Sequence, residues 1–595
     1  MQNRNIISLV LLALCCGAYA QSDETALPDS AAVERTVYVE REFQPTIQAA
    51  GKIAVMPQIY EPQIVLRQPE YSSFSAPLSL DYNVRQLDFS TLNFRHPEAL
   101  HGFLEAGVGH ANSLFSFNYR VTDSQMQSRR RDKRNTANDL VLDIHADHLA
   151  QWGLKTRSVT SLGFDFAKQL PTTQIYFGVN GANDFFSRYG CYYTPDAADP
   201  AIGTYSVNRL KNITDSLKQS IWTADAFVGV RSLPNADLEY SAQAGYEAFI
   251  APGFGIEHQI HTLGSFEWSS DVHHVGFEAD MQNRFYSTDS ALRSNHRIHI
   301  EPYYAYEGNR IRLHAGVNLD FSAGKGRVAG ISPNIRFEAD ITQNWFAAYA
   351  NVLGTYEANG VRGEFKENIY RTLSCLYYDN LSGTYIPVDA EVGFKIRPYA
   401  TLLMELHAGY RLTLDQHVNV FSREHYGMFE HERQNVSTWR IGADFHYHLR
   451  DMVVLNFGGN YYIYNAHSAM GVTTAMPTGL IMSNGNSIAF DGQQWDVHAR
   501  VDVNINRKWL VYSDNYLIGK RNACVYDLAT DTYSTAILRP AFDLNLGVQY
   551  NVNRWLSVYA QLNNYLAWTE KLSFYTFYGH EAARANCMIG MTWSF

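Results

Sequence analysis

Beyond its first twenty residues, the sequence contains no run of eighteen apolar residues, and its mean hydropathy is negative. A helix needs about 20 consecutive apolar residues to cross a bilayer, so this absence excludes transmembrane helices. Charged residues are also scarce, at 18% of the chain, where about a quarter is usual. Aromatic residues are abundant instead, at 14%. Few charges and many aromatics favour a β-barrel with aromatic girdles and a membrane-facing band.

Cysteines are few, and none has the spacing of a metal site. Four remain after the export signal described below: Cys191, Cys375, Cys524 and Cys587. The first three lie in predicted loops, where one disulfide bridge is consistent with an oxidising compartment. Free thiols are at least equally consistent with the sequence. No C-x-x-C or Cys/His spacing is present, so the cysteines predict no metal site.

Recognisable catalytic motifs are also absent. The chain has no G-x-S-x-G context for a nucleophile. Four histidine pairs are close in sequence, but the two members of each pair lie on opposite faces of a strand: His145 with His148, His258 with His261, His273 with His274, and His296 with His299. His446 and His448 do share a face, beside Asp444 and Arg440, which favours a polar network over a metal or proton-linked site. We therefore expect no enzyme, no catalytic residue, no metal and no cofactor.

The first twenty residues have the pattern of a secretory signal peptide. Residues 6–16 are apolar, and Ala18-Tyr19-Ala20 forms an A-x-A cleavage site. The apolar stretch is too short to span a bilayer as a retained anchor. We expect export, with cleavage after Ala20.

The rest of the chain repeats one pattern to its end. Apolar and polar side chains alternate along strand-length segments, which are joined by short polar turns and by long irregular connections. Within residues 436–449, for example, Trp439 and Ile441 alternate with Arg440 and Asp444. Apolar side chains outside and charged ones inside are typical of a transmembrane barrel, whereas a β-sandwich needs a dry inner face. The positions predicted to line the lumen are Arg440, Asp444, His446, His448, Asp496, Arg500 and Asp502.

Twenty-one segments between residues 102 and 595 have this pattern. Closed bacterial barrels have even strand numbers, so one strand is missing from this set, and residues 76–90 are the best candidate for it. We expect an all-β fold in which residues 76–595 form a single large antiparallel transmembrane barrel of about 22 strands, with 18–20 as alternatives. Side chains alone cannot fill a lumen of that width, so a transport route or a plug is expected.

The C-terminal strand has an apolar face against a small polar one. Its apolar face consists of Ile589, Met591, Trp593 and Phe595. A chain that ends in this way resembles the closing strand of a bacterial outer-membrane barrel. The resemblance implies that these four residues are the signal read by the barrel-assembly machinery.

Counting strands back from a periplasmic C-terminus predicts the topology. Short turns such as Asn506-Arg507-Lys508 and Pro234-Asn235 then face the periplasm. The long connections predicted to face outside are 123–137, 170–219, 357–386, 414–435, 467–492 and 520–539. The first of these carries the basic run Arg129, Arg130, Arg131, Lys133 and Arg134. We interpret this run as a solvated loop that contacts lipopolysaccharide phosphates, and we expect no nucleic-acid binding from it.

Residues 21–75 differ in composition from the barrel and form a predicted periplasmic leader. Prolines such as Pro57 and Pro62 favour an extended path. The run Val39-Glu40-Arg41-Glu42-Phe43-Gln44-Pro45, followed by Lys52-Ile53, is similar to the leader of plug-less relatives of TonB-dependent receptor barrels, which are common in Bacteroidetes. This resemblance covers the leader and, more loosely, the whole barrel. It implies a location in the outer membrane of a Gram-negative bacterium.

Receptors of that kind carry a TonB box, which adds a strand to the energising protein TonB. One run in the leader resembles such a box and is equally consistent with a generic β-prone tail: Glu34, Thr36, Val37, Tyr38 and Val39. A full receptor also needs a plug domain between box and barrel, and residues 40–100 leave no room for one.

Two functions remain open. The first is a porin-like channel or receptor for a solute that the sequence does not identify. The alternative is a non-transporting structural or assembly component that docks periplasmic or lipoprotein partners. The partners expected in either case are outer-membrane lipid and lipopolysaccharide, the barrel-assembly machinery, and TonB or a surface or periplasmic lipoprotein.

Overall fold

The fold is known from a computed structural model of the protein. It describes residues 102–122, 140–152, 156–188, 192–193, 218–233, 238–251, 255–287, 293–324, 326–342, 345–371, 381–422, 425–449, 452–468, 492–506, 508–527, 532–567, 575–581 and 584–595.

Twenty-two antiparallel strands form the wall of a closed barrel. In chain order they are β1 (Gly102–Gly109), β2 (Asn112–Thr122), β3 (Leu140–Gln151), β4 (Arg157–Gln169), β5 (Thr173–Ser187), β6 (Lys218–Ser232), β7 (Leu238–Ala251), β8 (Gly255–Ser270), β9 (His273–Ser287), β10 (Asn295–Glu307), β11 (Ile311–Ala323), β12 (Ala329–Thr342), β13 (Phe346–Glu357), β14 (Thr384–Tyr399), β15 (Leu402–Phe421), β16 (Phe429–Leu449), β17 (Val453–Ser468), β18 (Trp495–Ile505), β19 (Trp509–Ile518), β20 (Ala541–Asn551), β21 (Leu556–Asn563) and β22 (Asn586–Ser594).

The barrel closes because its last strand pairs with its first. Antiparallel pairing joins β22 to β1, with Leu104 opposite Trp593 and Val108 opposite Ile589. At the very end, the backbone amides and carbonyls of Gly102 and Phe595 exchange two hydrogen bonds of 3.0 Å each. Closure leaves no unpaired strand edge along the wall, which is the condition for a sheet to cross lipid.

The wall is apolar outside and polar inside, as β16 illustrates. Trp439 and Ile441 are 55% and 60% exposed, while the intervening Arg440 and the nearby Asp444 are each 5% exposed. A soluble protein would bury the apolar side chains. This inverted pattern fits a wall that faces lipid on one side and a polar lumen on the other. Among the described residues, no helix is long and apolar enough to cross a membrane.

The structure confirms the predicted count of about 22 strands but identifies a different missing strand. Residues 76–90, the predicted candidate, lie outside the described residues. The strand absent from the prediction is β5, which lies in the region assigned to the connection 170–219. Apolar side chains alternate along β5 at Ile175, Phe177 and Val179. The next positions on the same face are Gly181 and Asn183, so the alternating pattern ends halfway along the strand.

This missing strand corrects the predicted topology. Each added strand reverses the direction of all strands that precede it, so the turn at 170–172 lies at the same end of the barrel as the C-terminus. We call this the short-turn end. The residues Thr122 and Leu140, which flank the basic run, also lie at the short-turn end, because Gly102 pairs with Tyr119 of β2. The prediction that this connection faces outside with the long connections is therefore wrong.

Three of the long connections at the opposite end contain regular structure that the sequence did not predict. The connection between β13 and β14 includes a short helix, α1 (Val361–Glu367). The region 414–435, predicted as a loop, is largely a continuation of β15 and β16. The region 520–539, also predicted as a loop, folds into a hairpin of Arg521–Asp527 and Thr532–Leu538.

Candidate functional site

The site is the described part of the β13–β14 connection (residues 358–371 and 381–383), which we call the crossing segment. Its helix α1 packs on an apolar patch where β5, β6 and β7 approach the end opposite the short turns. Phe186, Ile221 and Phe249 form this patch on the inner face of the wall, and they receive Val361 and Phe365 of α1. The rings of Phe249 and Phe365 lie 5.9 Å apart. The spacing of Val361 and Phe365 by four residues places both on one face of the helix.

Polar contacts hold the crossing segment to the same side of the wall. A carboxylate oxygen of Glu257, on β8, accepts a hydrogen bond of 2.6 Å from the backbone amide of Val361. Glu257 therefore supplies the cap for α1, whose N-cap residue is Gly360 and has no side chain to offer. Arg362 forms an ion pair with Glu247 on β7. Burial lowers the pKa of the Arg362 guanidinium from its ordinary value, and the charge of Asp225 partly offsets this.

The opposite face of the crossing segment contacts β15 and β16. Glu364 of α1 accepts a hydrogen bond from His417 at 2.7 Å. Just beyond the helix, the side chain of Asn368 donates to Asn419 at 3.0 Å. The backbone carbonyl of Tyr370 accepts from the amide of Phe429 at 3.0 Å. The segment is thus tied to β15 and β16 by side-chain and backbone bonds together.

The two sets of contacts involve different strands of the ring. The first set belongs to β5, β6, β7 and β8. The second belongs to the part of the β15–β16 hairpin that extends beyond the wall. The crossing segment connects β13 to β14, so its helix packs on the inner face of strands that are at least six positions away in the ring.

Other connections pack against the crossing segment at the same end. The ring of Tyr370 stacks on His580, with centroids 3.7 Å apart. Tyr370, Phe421, Met428, Phe429 and Phe577 form a buried apolar cluster. This cluster joins the crossing segment to the β15–β16 hairpin and to the connection between β21 and β22.

A cavity of about 600 Å³ remains between the crossing segment and the wall. The residues around it are mostly charged or polar and include Glu247, Glu257, Gln259, Arg284, Thr384 and His417. Several of these side chains already have polar partners, as in the hydrogen bond of 2.9 Å that Arg284 donates to Gln259. A concave polar space of this size can hold a small polar molecule.

The residues predicted to line the lumen lie on the polar face of the wall, and most of them contact neighbouring polar side chains. Arg440 forms an ion pair with Glu391 at 2.6 Å. Asp444 lies between His407 and His498, at 3.7 and 3.6 Å.

The other predicted lumen residues have local partners as well. His446 bonds to Asn456 at 2.9 Å, while His448 is exposed. Asp496 accepts from Tyr462 at 2.7 Å. Arg500 pairs with Asp502 at 3.1 Å. None of these contacts involves the crossing segment.

The residues that position the crossing segment were not predicted from the sequence. Glu257, Glu364 and His417 were not singled out, because each belongs to a different element and their proximity depends on the closed ring. One local signal was available. Val361 and Phe365 have helical spacing inside a connection that was otherwise treated as irregular.

The remaining predicted residues fall partly outside the described residues and partly on the C-terminal strand. The box-like residues Glu34, Thr36, Val37, Tyr38 and Val39 lie outside the described residues, as do the basic run from Arg129 to Arg134, Cys191 and Cys375. At the C-terminus, Ile589, Met591 and Trp593 are exposed on the outer face. The ring of Phe595 packs 5.9 Å from that of Tyr119.

The closed barrel is similar in fold to solved outer-membrane receptors. A structure of the ferric enterobactin receptor of Pseudomonas aeruginosa with enterobactin matches with a TM-score of 0.59 and 12% identity, covering 83% of this chain and 81% of that one. The ferric-catecholate import receptor Fiu of Escherichia coli matches with a TM-score of 0.57 and 11% identity, covering 84% and 82%. The ferripyoverdine receptor of P. aeruginosa matches with a TM-score of 0.57 and 13% identity, covering 83% and 72%. No protein-family model and no curated protein matches the sequence.

Proposed function

We propose that the protein is an outer-membrane receptor or transport barrel in which the crossing segment obstructs the lumen in place of a separate plug domain. The single observation that carries this proposal is the packing of α1 on the inner face of β5, β6 and β7, at least six strands away from the β13–β14 connection to which α1 belongs. A wall of this width would otherwise enclose an open aqueous channel. The barrel fold of the solved receptors supports a general role in solute uptake.

The proposed solute is small and polar. The cavity beside α1 is lined by glutamates, arginines and amides, with few apolar side chains. Such groups recognise hydrogen-bonding or charged molecules and leave an apolar ligand without favourable contacts. Siderophore binding is a property of the similar solved receptors, whereas the cavity of this protein indicates only a polar ligand.

We further propose that residues 21–75 act as a periplasmic leader whose segment from Glu34 to Val39 pairs with TonB as an added strand. Energy delivered from that side would release the crossing segment and admit the solute. Export by a cleaved signal peptide over residues 1–20 and residence in the outer membrane belong to the same proposal.

Conductance of the purified protein in planar bilayers tests the obstruction. We expect little steady conductance from the unaltered chain and a large one after residues 361–381 are replaced by a short glycine-serine linker. Phe365→Asp, which places a charge against Phe186 and Phe249, should act in the same direction. Phe337→Asp is a matched aromatic change on the outer face, and it should destabilise the barrel in lipid without raising the conductance of the molecules that fold. An unaltered chain that already conducts as a wide pore would contradict the obstruction.

Deletion of residues 21–75 separates transport from the alternative, a structural component that docks partners. Loss of solute-dependent growth with an unchanged set of co-purifying proteins supports transport. Unchanged growth together with loss of a specific co-purifying protein supports docking. The crossing segment is the observation that keeps the alternative open, since a permanently obstructed barrel has no route for a solute.

A further inference from the structure

A cluster of three potential metal ligands lies where the crossing segment meets the β15–β16 hairpin. Glu364 comes from α1, His417 from β15 and His431 from β16. One ligand atom from each residue lies within 4.8 Å of the other two. All three side chains are buried. None was predicted from the sequence as a metal ligand, because the three belong to separate elements.

We propose that Glu364, His417 and His431 bind a divalent transition-metal ion of the Zn²⁺ class. Two imidazoles and one carboxylate form the donor set found in zinc sites that keep a fourth position open. Imidazole nitrogen also suits Co²⁺, Ni²⁺ and Cu²⁺, whereas Ca²⁺ and Mg²⁺ require oxygen ligands. The donor set therefore selects the class of ion.

The present positions need only small adjustments to accept an ion. His417 Nδ1 and Glu364 Oε1 are 2.7 Å apart and share a hydrogen bond. Ligand atoms held about 2.0–2.1 Å from a tetrahedral zinc ion are about 3.3 Å apart. The two atoms must therefore move apart by about half an ångström for the ion to replace the shared proton.

The two imidazoles need a second adjustment. The rings of His417 and His431 stack in parallel, with centroids 4.3 Å apart. A ring nitrogen coordinates in the plane of its ring, so one ring must turn about χ2 to meet the ion. This torsion is soft in histidine.

Neighbouring groups orient the carboxylate of Glu364. Its second oxygen is engaged by Arg371, so its first oxygen is presented to His417. Arg371 also contacts Glu367 at 3.3 Å, which holds the guanidinium in place. Partners that orient a ligating carboxylate in this way are a regular feature of metal sites.

The cluster also has an open side. Glu364 and His417 both line the cavity beside α1, so a water or a polar ligand from that cavity can take the fourth position. The ion would join α1 to β15 and β16. Its binding would fasten the crossing segment to the wall, independently of whether the barrel transports a solute.

Metal binding is measured on the full chain in detergent. Zinc titration by calorimetry should give one tightly bound Zn²⁺ per chain, and CoCl₂ should give the visible absorption of tetrahedral Co²⁺. Glu364→Gln and His431→Gln should each weaken binding by more than the roughly tenfold to hundredfold loss that follows removal of an orienting partner. His431→Cys replaces one zinc ligand with another and should retain binding with an altered cobalt spectrum.

His296→Gln is the matched control, because it removes an imidazole that contacts Asn283 on β9. Folding of every variant is checked by the heat-dependent mobility of the barrel on electrophoresis. Absence of stoichiometric zinc in the unaltered chain overturns the proposal. Equal affinity in the unaltered chain and in folded Glu364→Gln and His431→Gln variants also overturns it.

Discussion

The guanidinium of Arg188 donates a hydrogen bond of 2.9 Å from Nε to the backbone carbonyl of Ile369. Arg188 directly follows β5, whereas Ile369 belongs to the crossing segment. A second nitrogen of the same guanidinium donates to the carbonyl of Arg371 at 3.3 Å. The guanidinium also lies 5.6 Å from the ring centre of Phe365. The buried side chain of Arg188 thus connects the end of β5 both to α1 and to the backbone at Ile369 and Arg371.

Arg188→Ala is therefore expected to loosen the crossing segment without opening the wall. The carbonyls of Ile369 and Arg371 would each lose this donor, and a buried acceptor left without a donor costs about 1–3 kcal/mol. We expect faster proteolysis within residues 358–383 and a higher conductance in planar bilayers. Arg231→Ala is the control, since Arg231 contacts Gln174 near the short-turn end and its guanidinium is exposed. Equal protease resistance of Arg188→Ala and the unaltered chain would contradict the assigned role.

The ion pair of Arg440 and Glu391 provides a test of the polar inner wall. The two groups lie 2.6 Å apart and are both buried. Arg440→Met alone should destabilise the barrel by about 3–5 kcal/mol, because it leaves a buried carboxylate without its partner. The double variant Arg440→Met with Glu391→Met should recover part of this loss, because Asp389, which lies 3.4 Å from Arg440, still loses a partner. Urea unfolding measured on the folded barrel distinguishes these cases, and a double variant no better than the single one would refute the coupling.

Charge placed on the outer face should be harmful in proportion to its depth in the membrane. Ile441 lies midway along the wall portion of β16, while Leu449 is the last residue of that strand. Ile441→Arg should cost about 2–4 kcal/mol, and Leu449→Arg at the short-turn end about 0–1 kcal/mol. Unfolding from lipid vesicles measures both. Equal costs at the two positions would show that this face does not contact lipid.

Phe595 is expected to contribute both to closure and to assembly. Its ring stacks on those of Tyr119 and Phe117, at 5.9 and 6.4 Å, and its backbone pairs with Gly102. Aromatic contacts of this kind add about 0.5–1.5 kcal/mol beyond the area they bury. Deletion of Phe595 should sharply reduce the amount of folded barrel in the outer membrane, whereas Phe595→Tyr should preserve it. Equal amounts for the two variants would remove Phe595 from the assembly signal.

The strands could be predicted because the information is local. In β16, alternation of apolar and charged residues identifies both the strand and its two faces. In β5, alternation ends at Gly181 and Asn183, and the strand was missed although its neighbours were found. That single omission reversed the predicted direction of every earlier strand, which placed the connection after Thr122 at the wrong end. The direction of each strand is obtained by counting back from the C-terminus, so one missed strand reverses the direction assigned to every strand before it.

The candidate site could not be predicted in the same way. Arg188, Glu257, Glu364 and His417 lie far apart in sequence, and no local pattern relates them. Only the helical spacing of Val361 and Phe365 hinted that their connection was ordered. Its partner surface is made by three separate strands, so the packing appears only once the ring has closed.

A closed antiparallel barrel with apolar residues outside and polar residues inside could be predicted from the sequence alone, because side-chain alternation follows from strand geometry. The position of α1 and the proximity of Glu364, His417 and His431 depend on the tertiary structure. α1 packs on β5, β6 and β7, which are far from it in sequence, and on the neighbouring β15–β16 hairpin, so this geometry depends on the curvature of the whole wall. A periodic pattern describes which face of a strand a residue occupies, whereas it carries no information about what lies across the lumen.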